Sequence, residues 1–565
     1  MEPVTLVTVN NSCILSNGIL TLEWKEDASM ARVILNGTVI FSNTVERSDT
    51  DGKRGFYVDY HAEGAFHRLN VNRLDIIESS DGIAHIAFVD TTGYLTIEYH
   101  IVMFQGQSGY YSYIIAGNNT DAPFELSEFR IVYRCGSTVF DHACTGERMG
   151  LQPTRKYMEQ FEKLQDETYR MPDGALYSNS DVYSKYDYAG YFSQNPAWGQ
   201  YGHGYGFFII PASTEYYPGG PMKQELLVHY DGILLNYFTG SHFGTGNLHV
   251  PVGWKKCYGP FYQYFNEGSD GATLYADALR TADAEKKKWP YRWMRHPLYP
   301  LERSTVKGRL CFADNTPCRS TTVILGKNDI THERQSSGYM FYTTTDENGC
   351  FTLENVRRDT YTLFAYQTGG SNTHELHTAV NISAPLEDFG TITWFLPERR
   401  LLWQFGTATR TCEGYRYAGE LRNYKWMGMV PKNIDFYIGR SDPAKDWYYA
   451  QTLPESCWQL HFELDSIPSE DCIITVALAG ICKSVMTNKQ NAILYTCLNG
   501  TEISCKVFIN DSSIYRSATT SGRYRRFEIA VPHELLKEGE NVLSFSNAGS
   551  MVMYDTVLME AVRLP

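Results

Sequence analysis

Apolar and polar residues alternate with a period of two through the first half of the chain. Examples are Leu20, Leu22 and Trp24, and then Leu95, Ile97, Tyr99 and Ile101, separated by Thr96, Glu98 and His100. This pattern predicts strands with one buried and one wet face. The runs Gly206-Phe207-Phe208-Ile209-Ile210 and Leu234-Leu235-Asn236-Tyr237-Phe238 are apolar on both faces and predict strands inside a sandwich of stacked sheets. At Ala272–Trp289 the period changes: Leu274, Ala278 and Ala282 share one helical stripe, and Lys286-Lys287-Lys288 place cations where the helix dipole favours them. Pro290 stops that helix, and with Pro297 and Pro300 it marks a linker over Trp289–Leu301.

Alternation resumes after the linker at Val306–Phe312, Thr322–Leu325, Met340–Thr345, Phe351–Leu353 and Tyr361–Tyr366. Asp346-Glu347-Asn348-Gly349 supplies the Asn-Gly chemistry of a hairpin turn between two of these strands. The unit reads as a small fibronectin III-like or prealbumin-like sandwich. From Trp394 onward a third set, including Cys505–Ile509, Arg525–Val531 and Asn541–Phe545, predicts a jelly roll. The expectation is a mainly β chain of three domains, at 1–295, 303–392 and 393–565, without repeats.

Composition narrows the function classes. The 565 residues are 43% hydrophobic and 20% charged, which excludes a disordered chain and suits several cores. The net charge of −14 argues against a generic nucleic-acid binder. An anionic partner has to be met by a few placed Arg and Lys residues. The 41 Tyr, 28 Phe and 10 Trp suit sheet packing and stacking on sugar rings. No apolar run is long enough to span a bilayer, and the first residues lack the basic start and apolar core of a signal peptide. A cytoplasmic monomer is expected from the sequence as written, or a secreted one if a leader precedes it. The 13 Cys form no C-x-x-C pair and read mostly as free, buried thiols.

Several strings stand in order along the chain: Glu128-Phe129-Arg130-Ile131-Val132-Tyr133-Arg134, Ser184-Lys185-Tyr186-Asp187-Tyr188, Gly219-Gly220-Pro221-Met222-Lys223-Gln224 and Trp254-Lys255-Lys256-Cys257-Tyr258-Gly259-Pro260. Thr345–Phe351, Thr360–Leu363, Asp435–Gly439, Asp446-Trp447 and Met553-Tyr554-Asp555 continue the series. Together they resemble the rhamnogalacturonan lyases of polysaccharide lyase family 4 over essentially the whole chain. The resemblance implies a mutarotase-like catalytic sandwich, a fibronectin III-like domain and a carbohydrate-binding-like jelly roll.

It also implies β-elimination at the rhamnose–galacturonate bond of rhamnogalacturonan I. A base takes the C5 proton of the uronate, and the group on O4 departs. By resemblance Lys185 is the base, with its neutral form favoured if burial or neighbouring cations assist. His242, in Thr239-Gly240-Ser241-His242-Phe243-Gly244, is the second catalytic residue, either proton donor or stabiliser. The other histidines considered are His100, His203 and His229. Arg130 and Arg134, four apart on a strand, share a face and suit a carboxylate, unless they form surface salt bridges with acids such as Glu128. Tyr237 falls where the family places a substrate-contacting tyrosine, and Glu267 is a further binding candidate.

Tyr and Cys depart from the family around several motifs, and Lys156–Asp173 looks like an insertion, so endo or exo action stays open. No dense acidic loop suggests a catalytic calcium. Metal-free chemistry without cofactors is expected, with a structural calcium ion possible in an outer domain. The partner is an anionic oligosaccharide or polysaccharide. The rival readings are a lyase for another rhamnose–uronate linkage and a non-catalytic carbohydrate-binding or mutarotase-like protein.

Overall fold

The computed structural model describes residues 2–43, 55–136, 139–165, 167–172, 177, 182–240, 242–243, 246–327, 331–419, 429–483, 491–509 and 523–562. The chain divides into two compact units. The first holds 1–241, 246–302 and 334–340, and the second holds 242–245, 303–333 and 341–565.

The first unit is built on two large sheets packed face to face. One has nine strands, with Lys255–Glu267 between Tyr205–Pro211 and Gly109–Asn118 at its centre. The other has seven, and its central strands are Gln224–His229, Ile233–Gly240, Phe124–Arg134 and Gly55–Ala62, in that order. Alternation on Phe124–Arg134 drives Phe129, Ile131 and Tyr133 fully into the core. There Phe129 meets Tyr258 edge-on at 5.5 Å, and Phe56 stacks on Phe207 at 5.4 Å. The predicted helix runs over Gly271–Lys288, capped by Asp270, whose carboxylate accepts from the Thr273 backbone N–H. Leu274, Ala278 and Ala282 are buried as the stripe requires.

Residues 334–340, which the sequence places in the middle domain, belong to the first unit. Their backbone is bonded into it: Gly219 N donates to Gln335 O at 3.0 Å, Lys256 Nζ to Ser336 O at 2.8 Å and Trp254 Nε1 to Ser337 O at 3.0 Å.

The second unit contains two sandwiches. The smaller pairs a three-stranded sheet (Ser304–Phe312, Cys350–Val356, Leu386–Trp394) with a four-stranded one that includes Thr321–Gly326 and Phe341–Thr344. The Asp346–Gly349 turn is therefore not a hairpin, because its flanking strands lie in different sheets. Gly349 still needs its φ of +75°, and a Cβ there would meet Leu310 O at 2.2 Å. Leu310 N donates to Gly349 O at 2.8 Å, which ties the turn to Ser304–Phe312, the central strand of the three-stranded sheet.

The larger sandwich faces a four-stranded sheet with a five-stranded one around Phe405, Trp447, Trp458 and Tyr554. Asp555 is buried there. Its Oδ1 accepts from Thr409 N at 2.8 Å and Arg410 N at 3.0 Å. Burial pushes its carboxyl up to about 7 from the ordinary 3.8, against the lowering by those bonds. Between about pH 4 and 7 the folded chain then holds a proton that the unfolded chain releases, so stability falls as pH rises through that window. Asp555→Asn is expected to flatten this slope, by a few kcal/mol at the alkaline end, read from denaturant midpoints at pH 5 and pH 8.

Candidate active site

The outward face of the seven-stranded sheet gathers most of the sequence-predicted residues. Glu128, Arg130 and Arg134 alternate with the buried Phe129, Ile131 and Tyr133 and so point away from the core. The register sets Asp59, Arg130 and Tyr237 side by side. Four residues further along, roughly 13 Å at strand rise, it sets Arg134, Ile233 and His229 side by side.

Arg130 is held tightly. Its Nε donates to Asp59 Oδ1 at 2.8 Å, its Nη2 to Asp59 Oδ2 at 3.3 Å and its Nη1 to Tyr237 Oη at 2.5 Å, and Glu128 stands 2.6 Å away. Burial opposes its charge, but Tyr237, Asp59 and Glu128 outweigh burial and hold the guanidinium protonated. Burial also raises the Asp59 carboxyl, which Arg130 partly offsets. The pairing with Glu128 expected from sequence is present, yet it belongs to a buried network rather than to the surface. Arg134 differs. Its Nε donates to Tyr57 Oη at 2.8 Å, and among the described residues it forms no ion pair. Arg68 stacks over the same Tyr57 ring at 4.0 Å, adding a second guanidinium at that end.

Lys185 lies in a single 3-10 turn, Lys185–Asp187, that packs against the Gln224–His229 strand. Its Nζ is 2.9 Å from Glu167 Oε2. His229 Nε2 meets the same oxygen at 3.2 Å, and Tyr230 Oη donates to the other at 3.3 Å. Burial works to raise the Glu167 carboxyl, but His229 and Lys185 overcome it and hold it well below the ordinary carboxylate range. Glu167 adopts a left-handed φ of +44° at the tip between Lys163–Gln165 and Thr168–Arg170. That conformation is costly for a residue with a Cβ. It is fixed by Lys185 N donating to Glu167 O at 3.1 Å. The expectation of neighbouring cations around Lys185 thus meets a carboxylate instead. The segment read as an insertion supplies it.

His242 follows Gly240, the last residue of the Tyr237 strand, by two positions and is partly buried. With 243–245 it falls in the second compact unit, whereas Lys185 falls in the first. Ser241 and Gly244, which flank it, lie outside the described residues, as do Asp166 and Asp173 of the insertion-like segment. Glu267 stands apart from the cluster because it ends a strand of the nine-stranded sheet. It is exposed there and accepts from Asn36 Nδ2 at 3.2 Å. Of the other histidines, His100 stacks on Tyr113 at 4.1 Å and is bonded to His85, and His203 is an exposed turn residue near Asp141. Only His229 joins the Lys185 group.

Sequence reasoning missed Asp59 and Glu167. An acid within the apolar run Phe56-Tyr57-Val58-Asp59-Tyr60 was the available signal, since a carboxylate in a buried strand requires a cationic partner. It also missed Lys223 and Glu225, a buried pair at 3.1 Å whose ammonium donates to Gly240 O at 3.4 Å and so pins the end of the Tyr237 strand. No group of three or more His, Cys, Asp or Glu among the described residues is arranged to hold a metal ion.

Comparison with known proteins adds family evidence. Residues 315–387 match the model of polysaccharide lyase family 4, domain II, and residues 401–564 match that of domain III. The chain is 38% identical over 560 residues to the rhamnogalacturonate lyase of Dickeya dadantii, covering 98% of this chain and 94% of that protein. It is 24% identical to the probable rhamnogalacturonate lyase B of Aspergillus niger, covering 81% and 74% respectively. Among solved structures, a putative aldose 1-epimerase of Escherichia coli aligns with 47% of this chain and 100% of its own, at 9% identity and a TM-score of 0.26.

Proposed function

The chain belongs to polysaccharide lyase family 4 with the rhamnogalacturonate lyases, and from that premise we propose that it cleaves rhamnose–galacturonate linkages of rhamnogalacturonan I by metal-independent β-elimination. The observation that carries the proposal is that Lys185, paired with Glu167 which His229 also holds, lies in a turn packed against the sheet that presents Arg134. In the proposed step Lys185 takes the C5 proton, the C5–H electron pair becomes the C4–C5 double bond, and the C4–O4 pair leaves with rhamnose. The departing oxygen takes up a proton from an acid, the role for which the family resemblance offers His242. Arg134, rather than a metal ion, meets the uronate carboxylate where negative charge develops. Tyr237 and Arg130 shape the adjoining surface. Activity is expected to survive chelation, and loss that calcium restores would contradict Arg134 in this role.

Glu167 holds Lys185 Nζ at 2.9 Å and so fixes where that amine stands. Glu167→Gln keeps a hydrogen-bonding group there, whereas Glu167→Ala removes it. The kcat of Glu167→Ala is expected to fall below that of Glu167→Gln, and equal values in the two variants would show that Glu167 does not position Lys185.

The test of substrate is the ultraviolet absorbance of the unsaturated uronate, followed with oligosaccharides of several rhamnose–uronate linkages. A rise with rhamnose–galacturonate substrates supports the proposal. A rise only with another uronate reassigns the linkage. No rise with any of them supports the binding-protein reading.

A further inference from the structure

The outward face of the seven-stranded sheet extends beyond the Lys185 group to an edge strand, Ala65–Arg68, that the proposed elimination does not use. This strand pairs with Gly55–Ala62 in a register that sets Arg68 beside Asp59 and Phe66 beside His61. Alternation turns His67 inward, where it stacks on the buried Tyr60 at 4.9 Å, and leaves Phe66 and Arg68 on the outward face. The Phe66 ring is 52% exposed. Arg68 is exposed as well, with its Cζ 4.0 Å from the Tyr57 ring centre and 5.9 Å from that of Phe66. The carboxylate beside it in register, Asp59, is already held by Arg130 Nε and Nη2. Tyr57 Oη accepts from Arg134 Nε at 2.8 Å. Arg68 and Arg134, neither of them ion-paired among the described residues, therefore pack on one tyrosine. A guanidinium stacked on a ring keeps its in-plane donors for another acceptor. In a chain with a net charge of −14, two such cations held side by side mark a place for an anion.

We propose that Phe66 and Arg68 form a distal subsite, which holds the rhamnose–uronate unit next to the one that is cleaved. The Arg68 fork takes the carboxylate of that unit, and the Phe66 ring covers the apolar face of its rhamnose. The sheet sets the spacing. Its strand order runs from Gln224–His229, where the Lys185 turn packs, through the Arg134 strand to Ala65–Arg68 at the edge. The strands of Arg134 and Arg68 flank that of Tyr57 and so lie roughly 10 Å apart, about the length of two sugar rings. Both side chains lean onto Tyr57, which keeps the two guanidiniums within that span. A polymer in which rhamnose and uronate alternate carries a carboxylate on every second ring. With one carboxylate on Arg134, the next comes within reach of Arg68. The choice of a uronate rests on the lyase reading, whereas the pair of uncompensated guanidiniums does not.

The experiment compares kcat/KM for a tetrasaccharide and an octasaccharide of alternating rhamnose and galacturonate, followed by the absorbance of the unsaturated product. Wild type is expected to prefer the octasaccharide. Arg68→Ala should cut that preference at least about tenfold, the scale of a lost charge-assisted bond, and Phe66→Ala should cut it as well. Arg134→Ala, by contrast, should lower both substrates alike. Because both edge-strand side chains are exposed, their variants should keep the wild-type melting temperature. No preference in wild type, an unchanged preference in either edge-strand variant, or an equal loss on the two substrates would each overturn the proposal. If wild type eliminates neither substrate, the lyase reading fails and calorimetric titration with the octasaccharide decides the subsite. Binding that Arg68→Ala weakens would then uphold it, and equal binding by the two proteins would remove it.

Discussion

Lys185→Ala is expected to lower kcat by about 10²–10⁴-fold, the usual contribution of a general base, with little change in KM. The fold should tolerate it, because Glu167 retains His229 Nε2 and Tyr230 Oη as partners. Lys185→Arg sharpens the test. It preserves a cation for Glu167, yet a guanidinium does not give up its proton near neutral pH. Both variants should be inactive if Lys185 acts as a base. Activity restored by Arg would mean that Lys185 works only through its charge.

The second large effect separates the two arginines. Arg130→Ala removes the bidentate partner of Asp59, whose side chain is fully buried, and strands that carboxylate in the sheet. Breaking a buried pair in this way costs about 3–5 kcal/mol, so a large drop in thermal stability is expected. Arg134 makes one hydrogen bond, to Tyr57, and no ion pair among the described residues. Arg134→Ala should leave the melting temperature nearly unchanged and raise KM about tenfold to a hundredfold, as expected for lost charge-assisted bonds worth roughly 1.5–3 kcal/mol. Paired melting and kinetic measurements decide between these roles. A stable Arg130→Ala variant with a raised KM would exchange the two assignments.

Alternation made the strands legible, because burying one face of Phe124–Arg134 fixes Phe129, Ile131 and Tyr133 inward and both arginines outward. The same rule could not show that Arg130 is occupied by Asp59, a residue about 70 positions distant in sequence whose register depends on sheet order. Turn chemistry correctly marked Gly349 for a left-handed φ but not the partners of the strands around it, since the flanking segments join different sheets. Glu167 was invisible for a further reason. It sits on a tip with no periodic pattern, and only the folded chain brings that tip to Lys185 and His229. Lys185 and His242 themselves were selected by family resemblance, not by any physical signal in their neighbourhoods.

The most direct test of the central claim is the mass of the products formed from a defined rhamnogalacturonan oligosaccharide. Elimination consumes no water, so the two product masses should sum to that of the substrate, with the uronate fragment carrying the double bond. Products whose masses sum to the substrate plus one water would contradict elimination and identify hydrolysis.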